Sequence, residues 1–174
     1  MAEIEGMEFG HILHDMAQGT PTWAGGTAGA LAGVLAAALV LKIDVLTHKD
    51  TDDRIMKQLL QFAEQESQIY PRILQTRRNL EEHKIQILTA LNLSRDIARL
   101  SLQEAQTQLT RLSEVKKSLQ ADVITCAHLF SAAAASALTN IRANLALSAI
   151  DFPIDDLEDD LQALRKTLSA LEHA

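Results

Sequence analysis

The chain has 174 residues, about one domain's worth, and 47% of them are apolar, enough to bury a core. Its 26 Ala and 27 Leu stand against six aromatics and three Pro, a balance that favours helices, excludes a sandwich or barrel and argues against a doubly wound α/β fold. A formal charge of −7, with no face rich in Lys or Arg, argues against nucleic-acid binding, and the single cysteine, Cys126, excludes an internal disulfide and fits a reducing, cytoplasmic compartment.

In chain order, Ile4–Ala17 reads as a first helix with Phe9, Ile12, Leu13 and Met16 on one face. Acids stand at Glu3, Glu5 and Glu8 and no Lys or Arg precedes Lys42, so the basic opening of a secretory signal is missing. Gly19 to Thr22 breaks this helix. A second helix runs to about Leu46, with Thr22 or Thr27 as its expected N-cap. Its segment Ala24–Leu41 is uncharged, like a membrane span, and Gly25, Gly29 and Gly33 recur every four residues. Most of its apolar residues are Ala and Gly, which gain little from lipid, and Val123–Ile141 is equally rich in small residues. The expectation is a close pair of central helices inside a bundle, with no membrane partner.

The acidic stretch Asp50–Asp53 ends helix two and supplies the next cap. Helix three carries Ile55, Leu59, Phe62, Glu66, Ile69 and Ile73 at alternating steps of four and three, with a kink expected at Pro71. After a break between Arg77 and Lys84, a long helix with Ile85, Leu88, Leu91, Ile97, Leu100, Leu102, Leu109 and Leu112 reaches about Ser118. Asp122 is the expected cap of a fifth helix ending near Ala149. Phe152 and Pro153 mark a turn in an acidic segment. A final helix follows with a seam of Ile154, Leu157, Leu161, Leu164, Leu168 and Leu171, suited to the bundle or to a partner subunit. Residues 1–174 therefore read as one all-α domain, a bundle of about six helices with two central Ala/Gly-rich helices.

Glu66 is the most informative residue. A carboxylate on an apolar helix face loses hydration if buried, which raises its pKa toward the range useful for acid–base work; a rim position is the plainer reading. On the Ala-rich helix, Asp122, Cys126, Leu129, Ala133, Ser136, Asn140 and Asn144 share a narrow stripe. At ~1.5 Å per residue Asp122 and Asn140 lie ~27 Å apart, too far to line one small site within a subunit. His11 and His14, with Glu8 and Asp15 nearby, lack the His-Glu-x-x-His pattern, and no metal is expected. Cys126 and His128, two apart on a helix, do not face one side, which argues against a Cys/His nucleophile pair. The Gly25–Gly26 turn lacks the lysine of a phosphate-binding loop but offers free backbone N–H groups at a helix N-terminus.

The run Phe9-Gly10-His11-Ile12-Leu13-His14-Asp15-Met16-Ala17, followed by Thr20-Pro21-Thr22-Trp23-Ala24-Gly25-Gly26-Thr27 opening an Ala/Gly helix, resembles the cyclodeaminase/cyclohydrolase family. That family includes the cyclodeaminase half of formiminotransferase-cyclodeaminase and bacterial methenyl-tetrahydrofolate cyclohydrolases. Ala121-Asp122 and the later Asn140-Ile141-Arg142-Ala143-Asn144-Leu145 resemble its Ser-Asp and Asn-Val-x-x-Asn-Leu motifs, and Glu66 to Tyr70 lies where the family has Asp-x-x-Ala-Tyr. Trp23-Ala24 replaces the family's Pro-Gly, and its basic segment after helix two and its Leu-Pro-Lys loop are missing here. The resemblance implies an all-α homodimer that acts on a tetrahydrofolate derivative without a cofactor. It implies Glu66 as the acid–base group, with Thr20, Pro21, Gly25, Gly26, Thr27, Asp122, Asn140 and Asn144 as substrate contacts or supporting partners. The alternative is a divergent, inactive relative acting as a binding or scaffold protein.

Overall fold

The computed structural model describes residues 4–18, 22–146, 148 and 150–173. Six α-helices make up the bundle: α1 (Phe9–Ala17), α2 (Gly25–Leu46), α3 (Arg54–Thr76), α4 (Leu80–Thr110), α5 (Lys117–Ala146) and α6 (Asp155–Glu172). Short 3₁₀ turns at Ile4–Gly6 and Arg111–Ser113 precede α1 and follow α4, and no strand occurs among the described residues. Helices α2, α3, α4 and α5 pack in a closed ring in which each touches the next, and α6 lies on the outside of α4 and α5.

The small residues of α2 set its distance from α5. A Cβ on Gly29 would collide with Cβ and Oγ of Ser136, and one on Gly33 would sit 3.3 Å from Leu59 and 3.4 Å from Ala133. The Ser136 hydroxyl donates to the Gly25 carbonyl at 2.9 Å and ties the start of α2 to the middle of α5. On its outward side α2 leaves Leu35, Val45 and Leu46 exposed, so in the single chain this helix is covered on one side only. By length and composition α2 and α5 are both apolar enough to cross a membrane; half of α5's most apolar window is buried, but only 28% of α2's.

Several element ends differ from the expectation. Neither Thr22 nor Thr27 caps α2: the N-cap is Ala24, without a side-chain bond, and Thr27 is already inside the first turn. Helix α3 continues through Pro71, the position of the expected kink, with Ile69 and Ile73 buried on either side of it. Asn79 caps α4, its side chain accepting from the Glu82 backbone N–H at 3.3 Å. That helix ends at Thr110 rather than near Ser118, because Val115 and Leu119 turn inward to join Ile43, Val123 and Cys126 in a second small core. Helix α5 consequently begins at Lys117, so Asp122 lies in its second turn and caps nothing. In α1 only Ile12 is buried, while Phe9 and Leu13 face outward, and Ile85 of α4 is likewise exposed. The seam of α6 is used within the chain, with Leu157, Leu161, Leu164 and Leu168 buried in the main core.

Candidate active site

Four helices each contribute one residue to a cluster around Glu66. The stripe of α3 brings Glu66 into the ring interior, where it is 8% exposed. Helix α5 presents Asn140, whose Nδ2 donates to Glu66 Oε1 at 3.2 Å. Helix α4 presents Ser94, fully buried, whose hydroxyl donates to the same oxygen at 3.3 Å. Helix α2 presents Gly26, the position at which only hydrogen fits, because a Cβ there would collide with Asn140 Nδ2 and the Glu66 carboxyl.

Burial pushes the Glu66 carboxyl above its ordinary range, and the bonds from Asn140 and Ser94 pull it partly back. No charged side chain contributes to this shift. The result is a carboxyl fixed in orientation and destabilised as an anion, the direction of shift that favours proton transfer. It adjoins the first turn of α2, where the opening N–H groups have no capping side chain.

Of the residues singled out in the sequence, the structure brings Glu66, Gly26 and Asn140 together. Gly25 lies beside them, exposed and bound through its carbonyl to Ser136. Thr27 is sealed from solvent and its hydroxyl has no hydrogen-bond partner among the described residues, so in this arrangement it offers no surface to a substrate. Asn144 is half-buried one turn beyond Asn140, and no hydrogen bond links it to Glu66. Asp122 does not belong to the cluster: it accepts a bond from Lys42 Nζ at 2.9 Å, 18 residues and about 27 Å along α5 from Asn140. Thr20 and Pro21 lie outside the described residues. Ser94 was not singled out by the sequence. Its signal was the seven-residue spacing of Ser94, Ser101 and Gln108, three polar residues on the buried stripe of α4.

The remaining candidates separate. Among the described residues no group of three or more His, Cys, Asp or Glu is placed to hold a metal. Cys126 is buried and its thiol is pushed up to about 12, chiefly by desolvation, whereas His128 points outward to Glu172 at 3.2 Å. A protonated, buried thiol is not a nucleophile.

No family model matches the chain, and no curated protein does. Among solved structures, its fold is similar to that of a formiminotetrahydrofolate cyclodeaminase from Thermotoga maritima, with a TM-score of 0.79 and 18% identity over 97% of this chain and 93% of that one. The architecture is thus the all-α bundle of that cyclodeaminase.

Proposed function

We propose that the protein is a one-carbon folate enzyme that closes formimino-tetrahydrofolate with release of ammonia, or hydrolyses methenyl-tetrahydrofolate to the formyl form. The observation that carries this reading is the buried Glu66 carboxyl, held by Asn140 and Ser94 against Gly26. Its support is the fold shared with a formiminotetrahydrofolate cyclodeaminase.

Both reactions turn on proton transfer at nitrogen or oxygen attached to one carbon. In ring closure the free secondary amine adds to the formimino carbon and loses its proton, while the C–N bond to the departing amino group breaks and that group gains a proton to leave as ammonia. In hydrolysis water adds to the methenyl carbon and loses its protons, one of them to the nitrogen whose bond to that carbon breaks. A single carboxyl that titrates above its usual range can accept and return such a proton. Glu66 is that group in this reading, and Asn140 and Gly26 shape the space at its head. The folate derivative is the substrate, and the chemistry calls for no cofactor. The reading includes a second copy of this chain packed on the uncovered side of α2.

Turnover of the two folates by the wild type and by Glu66→Gln tests the proposal. Gln keeps the shape and removes the ionisable group, so the rate falls by ~10²–10⁴-fold while the helical content is retained. A wild type that turns over neither compound, with no folate raising its melting temperature, sinks the enzyme reading in favour of a binding or scaffold protein. Equal rates for the variant and the wild type would leave an enzyme with a different acid.

A further inference from the structure

We infer that Ser94 is a positioning residue that, together with Asn140, occupies Oε1 of Glu66 and so assigns the transferable proton to Oε2. Both donors converge on the same oxygen, at 3.3 Å from Ser94 and 3.2 Å from Asn140, and among the described residues no donor reaches the other. A carboxylate oxygen accepts two such bonds comfortably, but the hydroxyl oxygen of a protonated carboxyl is the poorer acceptor. Protonation on Oε1 would weaken two buried hydrogen bonds, whereas protonation on Oε2 leaves both intact. The proton therefore resides on the oxygen that the protein leaves free.

The use of Ser94 differs from that of the other hydroxyls on its helix. Thr89 and Thr107 donate back to the carbonyls of Ile85 and Gln103 at 2.9 Å, four residues earlier in their own helix. Ser94 makes no such bond; its hydrogen bond crosses to α3. Ser101, two turns on along the same buried stripe, has no hydrogen-bond partner among the described residues, so a serine in this part of the core does not of itself require an acceptor. From the elements packed around it, Glu66 faces Gly26 of α2, Ser94 of α4 and Asn140 of α5, and no charged group from these helices contributes to its titration.

The role of Glu66 in turnover rests on the function proposed above, but the titration of its carboxyl does not, and the two are measured separately. In the full chain labelled with ¹³C at the Glu carboxyl carbons, the Glu66 signal is the one missing from Glu66→Gln. Ser94→Ala raises the titration midpoint of that signal by about half to one pH unit, because the ionised form loses a donor. Ser101→Ala removes a hydroxyl from the same face and leaves the midpoint in place. If Ser94→Ala does not fold, Ser94→Cys keeps the volume with a weaker donor and moves the midpoint in the same direction. An unmoved midpoint in a folded Ser94 variant, or an equal shift in Ser101→Ala, overturns the inference. In turnover, the limb of the pH–rate profile set by Glu66 moves up with the midpoint. A midpoint that moves in a protein without turnover would refute the proposed function and leave the positioning role standing.

Discussion

Glu66 is subject to opposing influences: the loss of water around it disfavours the anion, and two side-chain donors favour it. Burial dominates, so the carboxyl titrates above the ordinary 4.5. Between that value and the raised one the folded protein binds more protons than the unfolded chain, so stability falls as pH rises. The contribution of Glu66 is fully present below 4.5 and is lost as pH climbs through the folded value. Glu66→Gln removes this dependence. Urea unfolding from pH 4 to pH 8 is expected to show the variant gaining on the wild type as pH increases, and parallel curves would mean that the carboxyl is not desolvated. Its place in the α3 stripe marked this residue, but a rim position was the plainer reading, and the packing of the helix ring decided for burial. Its partners could not be read in the sequence, since nothing local relates Ser94 or Gly26 to a glutamate on another helix.

At the scale of elements, the contact of α2 with α5 depends on hydrogen atoms where other residues carry Cβ. Gly29→Ala places a methyl group against Cβ and Oγ of Ser136, and overpacking of this kind typically costs about 1–3 kcal/mol. Ser136→Gly removes both clashing atoms. It weakens α5 by itself, yet the double variant is expected to be more stable than the sum of the single changes implies. A double-mutant cycle by denaturant unfolding measures that coupling, and strict additivity would show that the helices separate at little cost. The four-residue recurrence of Gly25, Gly29 and Gly33 signals such an approach without naming the partner. The ends of α4 and α5 were less legible: Val115 and Leu119 stop one helix and start the next by reaching a core to which Ile43 of α2 contributes. A cap inferred from Asp122 alone misses this, because local propensity is outweighed by burial of distant residues.

For the molecule as a whole, α5 and α6 hide their large apolar residues inside the chain, whereas α2 leaves Leu35, Val45 and Leu46 exposed, α1 leaves Phe9 and Leu13, and the start of α4 leaves Leu80 and Ile85. Leu35 is 51% exposed and Val45 59%, on a helix that also leaves Leu31, Val34, Leu39, Val40 and Leu41 only half-buried. The seam of α6 is already engaged with the bundle, and of the apolar surfaces left exposed, that of α2, a helix of the central ring, is the one assigned to a second copy. We expect sedimentation equilibrium at micromolar concentration to give twice the chain mass of 19.1 kDa, and Leu35→Glu to return the monomer by burying a charge at the contact. A monomeric wild type would remove this part of the proposal.

The sequence by itself determined the helical class, the number of helices and the inward face of α3, because these follow from composition and from periodicity within a single element. It also carried enough of Glu66, Gly26 and Asn140 to mark them as candidates. The tertiary structure alone decided which of the candidates meet. Asp122 and Asn140 share one stripe of α5, yet only Asn140 reaches Glu66, while Asp122 pairs with Lys42. Ser94 enters the site although it looks like an ordinary core serine. The physical reason is that a helix repeats its faces along its whole length, whereas hydrogen bonds act over about 3 Å, so the crossing of neighbouring helices selects which turn of each stripe becomes chemistry.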